Sequence, residues 1–374
     1  MEIFLEATGG PAGWPEPGCG CASCGRLTPG HRLPTSIVLD GLVRLSLDGG
    51  VLRRSSPAGA ALPAAGGAGA HRHRIASGPD GHEITDPGGR RLLYATALPL
   101  AGAPSAGSPA APASGPDGAP FDWVLIDLLD RPERLGDLRR RGRVGPATRV
   151  IAVHLDHRAA SERELARRLE LWGAEAVPDG TVLGPAVSGA RTPPRRTLLL
   201  GGSRSGKSEE AELRLAGEPD VTYVATGPRA EGDPAWAERV RAHRVRRPAH
   251  WHTVETGDVT ALLADPPSGA LLIDGVGTWL TGVFDDCAAW PGVSGDLAGP
   301  AAAVAERCEL LVSAWRRTAA RVVAVSDEVG LGVVPATPAG RVFRDALGRL
   351  NQRLARESEA ASLVVAGRLV DLPV

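Results

Sequence analysis

The chain has 374 residues, with 42 Lys and Arg against 43 Asp and Glu, and 43% of its residues are apolar. That length exceeds one ordinary core, so two domains are expected, and the near-zero charge offers no field to gather a polyanion, which removes nucleic acid as the expected partner. No stretch approaches the run of about 20 apolar residues that a membrane helix needs, and Met1-Glu2-Ile3-Phe4 lacks the basic start of a signal peptide, so a cytoplasmic protein without a membrane span is expected.

In chain order, Cys19, Cys21 and Cys24 come first, and their C-x-C-x2-C spacing favours metal binding over disulfides. Three thiolates there could serve one structural Zn2+, the alternative being surplus loop cysteines. Cys287 and Cys308 read as small apolar residues. Segments 36–39, 92–95, 123–126 and 149–153 have the short apolar character of strands, which makes the first region α/β. Residues 101–120 are nearly all Ala, Gly, Ser and Pro, cannot bury enough surface to offset their ordering entropy, and read as a disordered insertion. Thr192-Pro193-Pro194-Arg195 opposes helix and sheet continuation, so 192–195 reads as a linker between domains at 1–191 and 196–374.

After that seam, apolar runs at 197–200, 221–225, 270–273, 322–325 and 363–366 alternate with helical patterns at 208–215, 235–244, 301–319 and 341–357. Such alternation implies a parallel sheet with helices on both faces. Between the first strand and the first helix stands Gly201-Gly202-Ser203-Arg204-Ser205-Gly206-Lys207-Ser208, a G-x4-G-K-[ST] phosphate loop in the context the motif requires. Its glycines let backbone N–H groups curl around phosphates, Lys207 reaches the β and γ phosphates, and Ser208 can ligate Mg2+. Lys207 is the only lysine in the chain. Asp274, ending the third strand, is the expected partner for the metal, with Asp327 and Glu328 as the competing pair. His243 lies on the predicted helix 235–244 beside Arg244, Arg246 and Arg247. A lone histidine there is ordinarily structural or capping, although a neutral imidazole flanked by arginines can attack a nucleotide α-phosphorus.

The phosphate loop, Tyr223-Val224-Ala225-Thr226, the basic stretch ending Arg247-Pro248-Ala249-His250-Trp251, and Thr253-Val254-Glu255 together resemble the adenosylcobinamide kinase/adenosylcobinamide-phosphate guanylyltransferase family. Ser326-Asp327-Glu328-Val329-Gly330-Leu331-Gly332-Val333-Val334-Pro335, Phe343-Arg344-Asp345 and Gly348-Arg349-Leu350-Asn351-Gln352-Arg353 continue the resemblance in the same order, over 196–374. It implies a P-loop NTPase-like domain and two steps. ATP or GTP phosphorylates adenosylcobinamide; then GTP guanylylates a histidine, and GMP passes to adenosylcobinamide phosphate to give adenosylcobinamide-GDP. By the same resemblance His243 is the guanylylated residue, and Ala225, Thr226, Gly227, Arg244, Val245, Arg246, Arg247, Glu255 and Asp274 line the nucleotide site with residues 201–208. A homo-oligomer is also implied. The chain departs from the family in carrying Ala242 where a second histidine is frequent, and Asp274 where the metal carboxylate is frequently Glu. The alternatives from the residues alone are a P-loop kinase without guanylyl transfer and a nucleotide-dependent binding module.

At the other end, Thr8-Gly9-Gly10, Gly13-Trp14-Pro15-Glu16-Pro17, the cysteine cluster, Arg32 to Asp40 and Val153-His154-Leu155-Asp156-His157 resemble metallo-β-lactamase-fold phosphodiesterases. The H-x-H-x-D-H motif of a binuclear site is missing. His71 and His73 keep half its spacing in a loop-like setting, which implies a degenerate, non-hydrolytic domain. Relatives of that kind add a distant histidine to the three cysteines, and Pro178 stands where that histidine is expected.

Overall fold

The computed structural model describes residues 1–48, 51–57, 73–95, 118–184, 193–227, 247–292 and 298–373. The predicted helix 235–244 with His243, together with Arg244, Val245, Arg246, His71 and nearly all of 101–120, lies outside the described residues. The chain divides into two compact units, Met1–Arg191 and Thr192–Val374.

In the first unit, one antiparallel sheet runs in the order β10 (Thr181–Leu183), β1 (Ile3–Ala7), β2 (Ser36–Leu39), β3 (Val43–Asp48), β4 (Val51–Ser55). The second runs β5 (Arg74–Gly78), β6 (Gly81–Thr85), β7 (Arg91–Ala95), β8 (Trp123–Ile126), β9 (Arg149–Ala152), and β7, β8 and β9 are parallel. Ile3, Leu5, Ile37 and Leu39 of one sheet share a core with Ile84, Leu92, Leu125 and Ile151 of the other, so the sheets pack face to face. The buried and half-buried alternation of β1 is what a strand with one face on such a core requires. Helices α1 (Glu133–Arg140) and α2 (Glu162–Leu171) follow β8 and β9, and the Ser161 hydroxyl caps α2 by accepting the Glu164 N–H at 3.2 Å. His73 stands outside any strand, directly before β5, which begins at Arg74.

The second unit holds one seven-stranded sheet in the order β13 (His252–Glu255), β12 (Val221–Ala225), β14 (Ala270–Asp274), β15 (Arg321–Asp327), β11 (Arg196–Gly201), β16 (Ala360–Val365), β17 (Arg368–Leu372). Six strands are parallel, and β17 returns antiparallel to β16. Alternate residues divide cleanly between two cores. Leu199, Tyr223, Leu272 and Val325 face the side that holds Ala211 and Leu215 of α3 (Lys207–Leu215). Leu198, Val224, Leu271 and Ala324 face α4 (Val259–Ala264), α5 (Val276–Asp286), α6 (Ala298–Arg317) and α7 (Pro338–Arg356). Strands buried on both faces lack polar alternation, which is why they read as continuous apolar runs. Among the described residues no helix is long and apolar enough to cross a membrane.

Candidate nucleotide and metal sites

The face rule places the chemistry. Asp274 lies two residues after Leu272 and Asp327 two after Val325, so both carboxylates end their strands on the α3 side of the sheet. β11 is an interior strand between β15 and β16, and its C-terminal end is where open α/β sheets accept ligands.

Between β11 and α3 the backbone makes a tight loop. Gly206 has φ +95°, and a Cβ on Gly201 would stand 2.5 Å from Ser205 Oγ and 2.7 Å from the Val364 carbonyl oxygen, so neither position tolerates a side chain. Gly367 N–H donates to the Ser205 carbonyl at 2.8 Å, which ties the loop to the β16–β17 turn. Gly202, Ser203 and Arg204 are exposed, and Ser205 is buried. Lys207 Nζ donates to the Gly202 carbonyl at 3.1 Å and lies 2.9 Å from Asp327 Oδ1, so its ammonium is held back over the loop. Ser208 Oγ donates to Asp274 Oδ1 at 3.1 Å.

The neighbouring strand ends complete the arrangement. Tyr223 Oη donates to Asp274 Oδ2 at 2.5 Å, and burial followed by the adjacent Asp274 charge pushes the phenol's pKa up. The Arg247 guanidinium carbon lies 3.2 Å from the centroid of the Tyr223 ring. Thr226 Oγ1 donates to the Gly275 carbonyl at 2.6 Å, so the residue after Ala225 is fixed to the β14–α5 turn. Glu255 ends β13 opposite Ala225 in the ladder and is exposed. Gly227 follows Thr226, and Asn351 Nδ2 of α7 donates to the Asp327 carbonyl at 3.0 Å, bracing the end of β15.

The structure therefore gathers residues 201–208, Ala225, Thr226, Gly227, Arg247, Glu255 and Asp274 at one end of one sheet. Among the three candidate carboxylates, Asp274 is bonded to Ser208, Asp327 is paired with Lys207, and Glu328 accepts the Gly330 N–H at 2.7 Å. One hydroxyl and one carboxylate, with little other protein oxygen, suits Mg2+, which keeps much of its water shell. Tyr223 and Asn351 stood only inside longer motifs in the sequence. Their signal is a polar tip within an otherwise apolar strand or helix face.

A second cluster lies in the first unit. The ligand atoms of Cys19, Cys21, Cys24 and His157 all fall within 4.8 Å of one another, with Cys24 Sγ 3.7 Å from His157 Nδ1. Four donors around Zn2+ at Zn–S distances of about 2.3 Å stand about 3.8 Å apart, so the set fits that ion. Glu16 N–H donates to Cys24 Sγ at 3.4 Å and Cys24 N–H to Cys21 Sγ at 3.4 Å, bonds that favour thiolates. Hydrogen bonding, led by the Cys24 backbone N–H, lowers the Cys21 pKa to about 7, whereas burial raises that of Cys24 to about 11. The histidine beside the cysteines is His157, which the sequence placed only within the Val153–His157 motif. The β9–α2 connection brings His157 to the cysteine loop, a proximity across more than 130 residues that spacing along the chain does not reveal.

A phosphate loop on a central parallel strand, with a lysine and a strand-end carboxylate at its lip, defines the second unit as a P-loop nucleotide-binding fold. Residues 197–372 match the family described as cobinamide kinase / cobinamide phosphate guanyltransferase. The bifunctional adenosylcobalamin biosynthesis protein CobU of Salmonella typhimurium is 38% identical, and the alignment covers 46% of this chain and 95% of that one. CobU of Escherichia coli is 36% identical with the same coverage, and CobP of Pseudomonas aeruginosa is 39% identical over 46% of this chain and 94% of its own. The chain belongs to the CobU/CobP family through its second unit. Solved structures of a type III secretion ATPase and the bacteriophage phi6 P4 protein overlap 45% and 47% of this chain, and 50% and 52% of their own, at TM-scores of 0.29 and 0.23; the fold rests on the sheet order and not on these.

Proposed function

We propose that the second unit phosphorylates adenosylcobinamide with ATP or GTP and then transfers GMP from GTP to the phosphorylated product. The observation that carries this reading is the phosphate loop with Lys207, Ser208 and Asp274 assembled at the end of β11, in a chain of that family. In the first step the backbone amides of residues 202–207 and the Lys207 ammonium hold the β and γ phosphates. The acceptor hydroxyl attacks the γ-phosphorus, the bond to the β-phosphate oxygen breaks, and the nucleoside diphosphate leaves. Bound Mg2+, held from Ser208 and Asp274, would supply neutralisation of the charge on the phosphate oxygens. In the second step the His243 imidazole attacks the α-phosphorus of GTP with loss of pyrophosphate. A phosphate oxygen of adenosylcobinamide phosphate then takes the guanylyl group and frees the histidine. Arg244, Arg246 and Arg247 answer the charge on the phosphates, while Val245, Ala225, Thr226, Gly227 and Glu255 border the nucleotide. Incubation of the full chain with adenosylcobinamide, GTP and Mg2+, read by mass spectrometry, tests this. Appearance of the phosphate and then the GDP adduct is expected, and unchanged adenosylcobinamide contradicts the reading.

We further propose that Cys19, Cys21, Cys24 and His157 hold a structural Zn2+ and that the first unit is a non-hydrolytic relative of metallo-β-lactamase-fold proteins. A closed four-ligand site leaves no position for a reacting water. One zinc per chain by elemental analysis, lost in Cys24→Ser, supports the site. A zinc-free protein of unchanged stability sinks it.

A further inference from the structure

A second hydroxyl, that of Tyr223, is bonded to the Asp274 carboxylate. Asp274 has a short stem at the end of β14, and one torsion about Cα–Cβ would swing both its oxygens away from Ser208. In the ladder Asp274 pairs with Ala225, which places Tyr223 diagonally across on the same face, within reach only of a long side chain. Its phenol spans that diagonal and donates to Asp274 Oδ2 at 2.5 Å, while Oδ1 accepts from Ser208 at 3.1 Å. The ring itself cannot drift. It is 4% exposed, shares a core with Leu199, Ala211, Leu215, Trp251 and Leu272, and carries the Arg247 guanidinium 3.2 Å from its centroid.

We infer that Tyr223 is a positioning residue for the metal carboxylate: its hydroxyl holds Asp274 turned toward Ser208, and Arg247 holds the Tyr223 ring from the other side. This rests on the nucleotide reading proposed above and names a residue through which that site is ordered. Tyr223 touches neither nucleotide nor acceptor in this account and acts only through Asp274. One consequence is that Arg247, four residues beyond His243, is joined to the phosphate-loop serine by the path Arg247, Tyr223, Asp274, Ser208.

The test uses Mn2+ as a paramagnetic probe, titrated into the full-length protein with GTP present and followed by electron paramagnetic resonance. Tyr223→Phe retains the buried ring and removes only the hydroxyl. Loss of a hydrogen bond to a charged group predicts Mn2+ affinity weaker by roughly 10-fold or more, with GTP affinity in EDTA altered less than about twofold. In Asp274→Asn the same Tyr223→Phe change is expected to weaken Mn2+ binding by no more than about twofold further. Unchanged Mn2+ affinity in a folded Tyr223→Phe protein overturns the inference and leaves Tyr223 as core packing. Absence of GTP-dependent Mn2+ uptake in the wild type overturns the nucleotide reading itself.

Discussion

Lys207 is the only lysine of the chain, and its ammonium is gathered between the Gly202 carbonyl and Asp327 beside the phosphate loop. Removing that one charge from the transferred phosphates in Lys207→Ala is expected to lower kcat for adenosylcobinamide phosphorylation on the order of 10²-fold or more, with the thermal midpoint unchanged. Single-turnover kinetics checks this, and a loss under tenfold contradicts it. In the first unit, burial and then the Arg158 charge press the His154 pKa down to about 4 from 6.5, while its Nε2 lies 2.9 Å from Tyr94 Oη. The unfolded imidazole takes its proton near 6.5 and the folded one only near 4, so the unfolded state binds more protons in between. Stability therefore falls as pH drops from about 6.5 to about 4, by up to about 3 kcal/mol from this group. Urea titrations at stepped pH should show that loss reduced in His154→Asn, a substitution suited to the positive φ of 59° at this position. The phosphate loop was legible because every residue type in it has one task. The Tyr223 and His157 roles were not, because each depends on a neighbour across a sheet or a distant connection.

At the scale of elements, the central strands β11, β12, β14 and β15 were readable because burial on both faces leaves uninterrupted apolar runs. The edge strand β13 was not, since His252, Thr253 and Glu255 are exposed and polar and the ladder to β12 alone makes it a strand. β16 lies at Ala360–Val365, up to three residues earlier than its apolar run suggests, because Ala366 and Gly367 adopt positive φ and turn the chain into β17. The loop between β11 and α3 is closely packed. Gly201→Ala would drive a methyl against Ser205 Oγ and the Val364 carbonyl, and is expected to destabilise the second unit by about 2 kcal/mol and to weaken GTP binding. Denaturant unfolding together with GTP titration checks both. Unchanged values would mean that the loop is looser than its contacts indicate.

At the scale of the whole molecule, the chain divides into two compact units. Removing the proposed zinc from the Cys19, Cys21, Cys24 and His157 cluster should act on the first unit alone, lowering its unfolding transition by roughly 5 °C or more and leaving the second in place. Calorimetry with and without a chelator resolves this, and a joint shift of both transitions contradicts it. The family match covers residues 197–372, inside the second unit, so deletion of residues 1–191 is expected to leave GMP transfer largely intact.

The proposed guanylyl transfer through His243 is tested most directly by incubating the protein with Mg2+ and GTP labelled at the α-phosphate, followed by denaturing electrophoresis of the wild type and His243→Ala. Acid-labile label on the wild type and none on the variant is the predicted result. Absence of label on a folded wild type that binds GTP would contradict the account and leave a phosphoryl transferase alone.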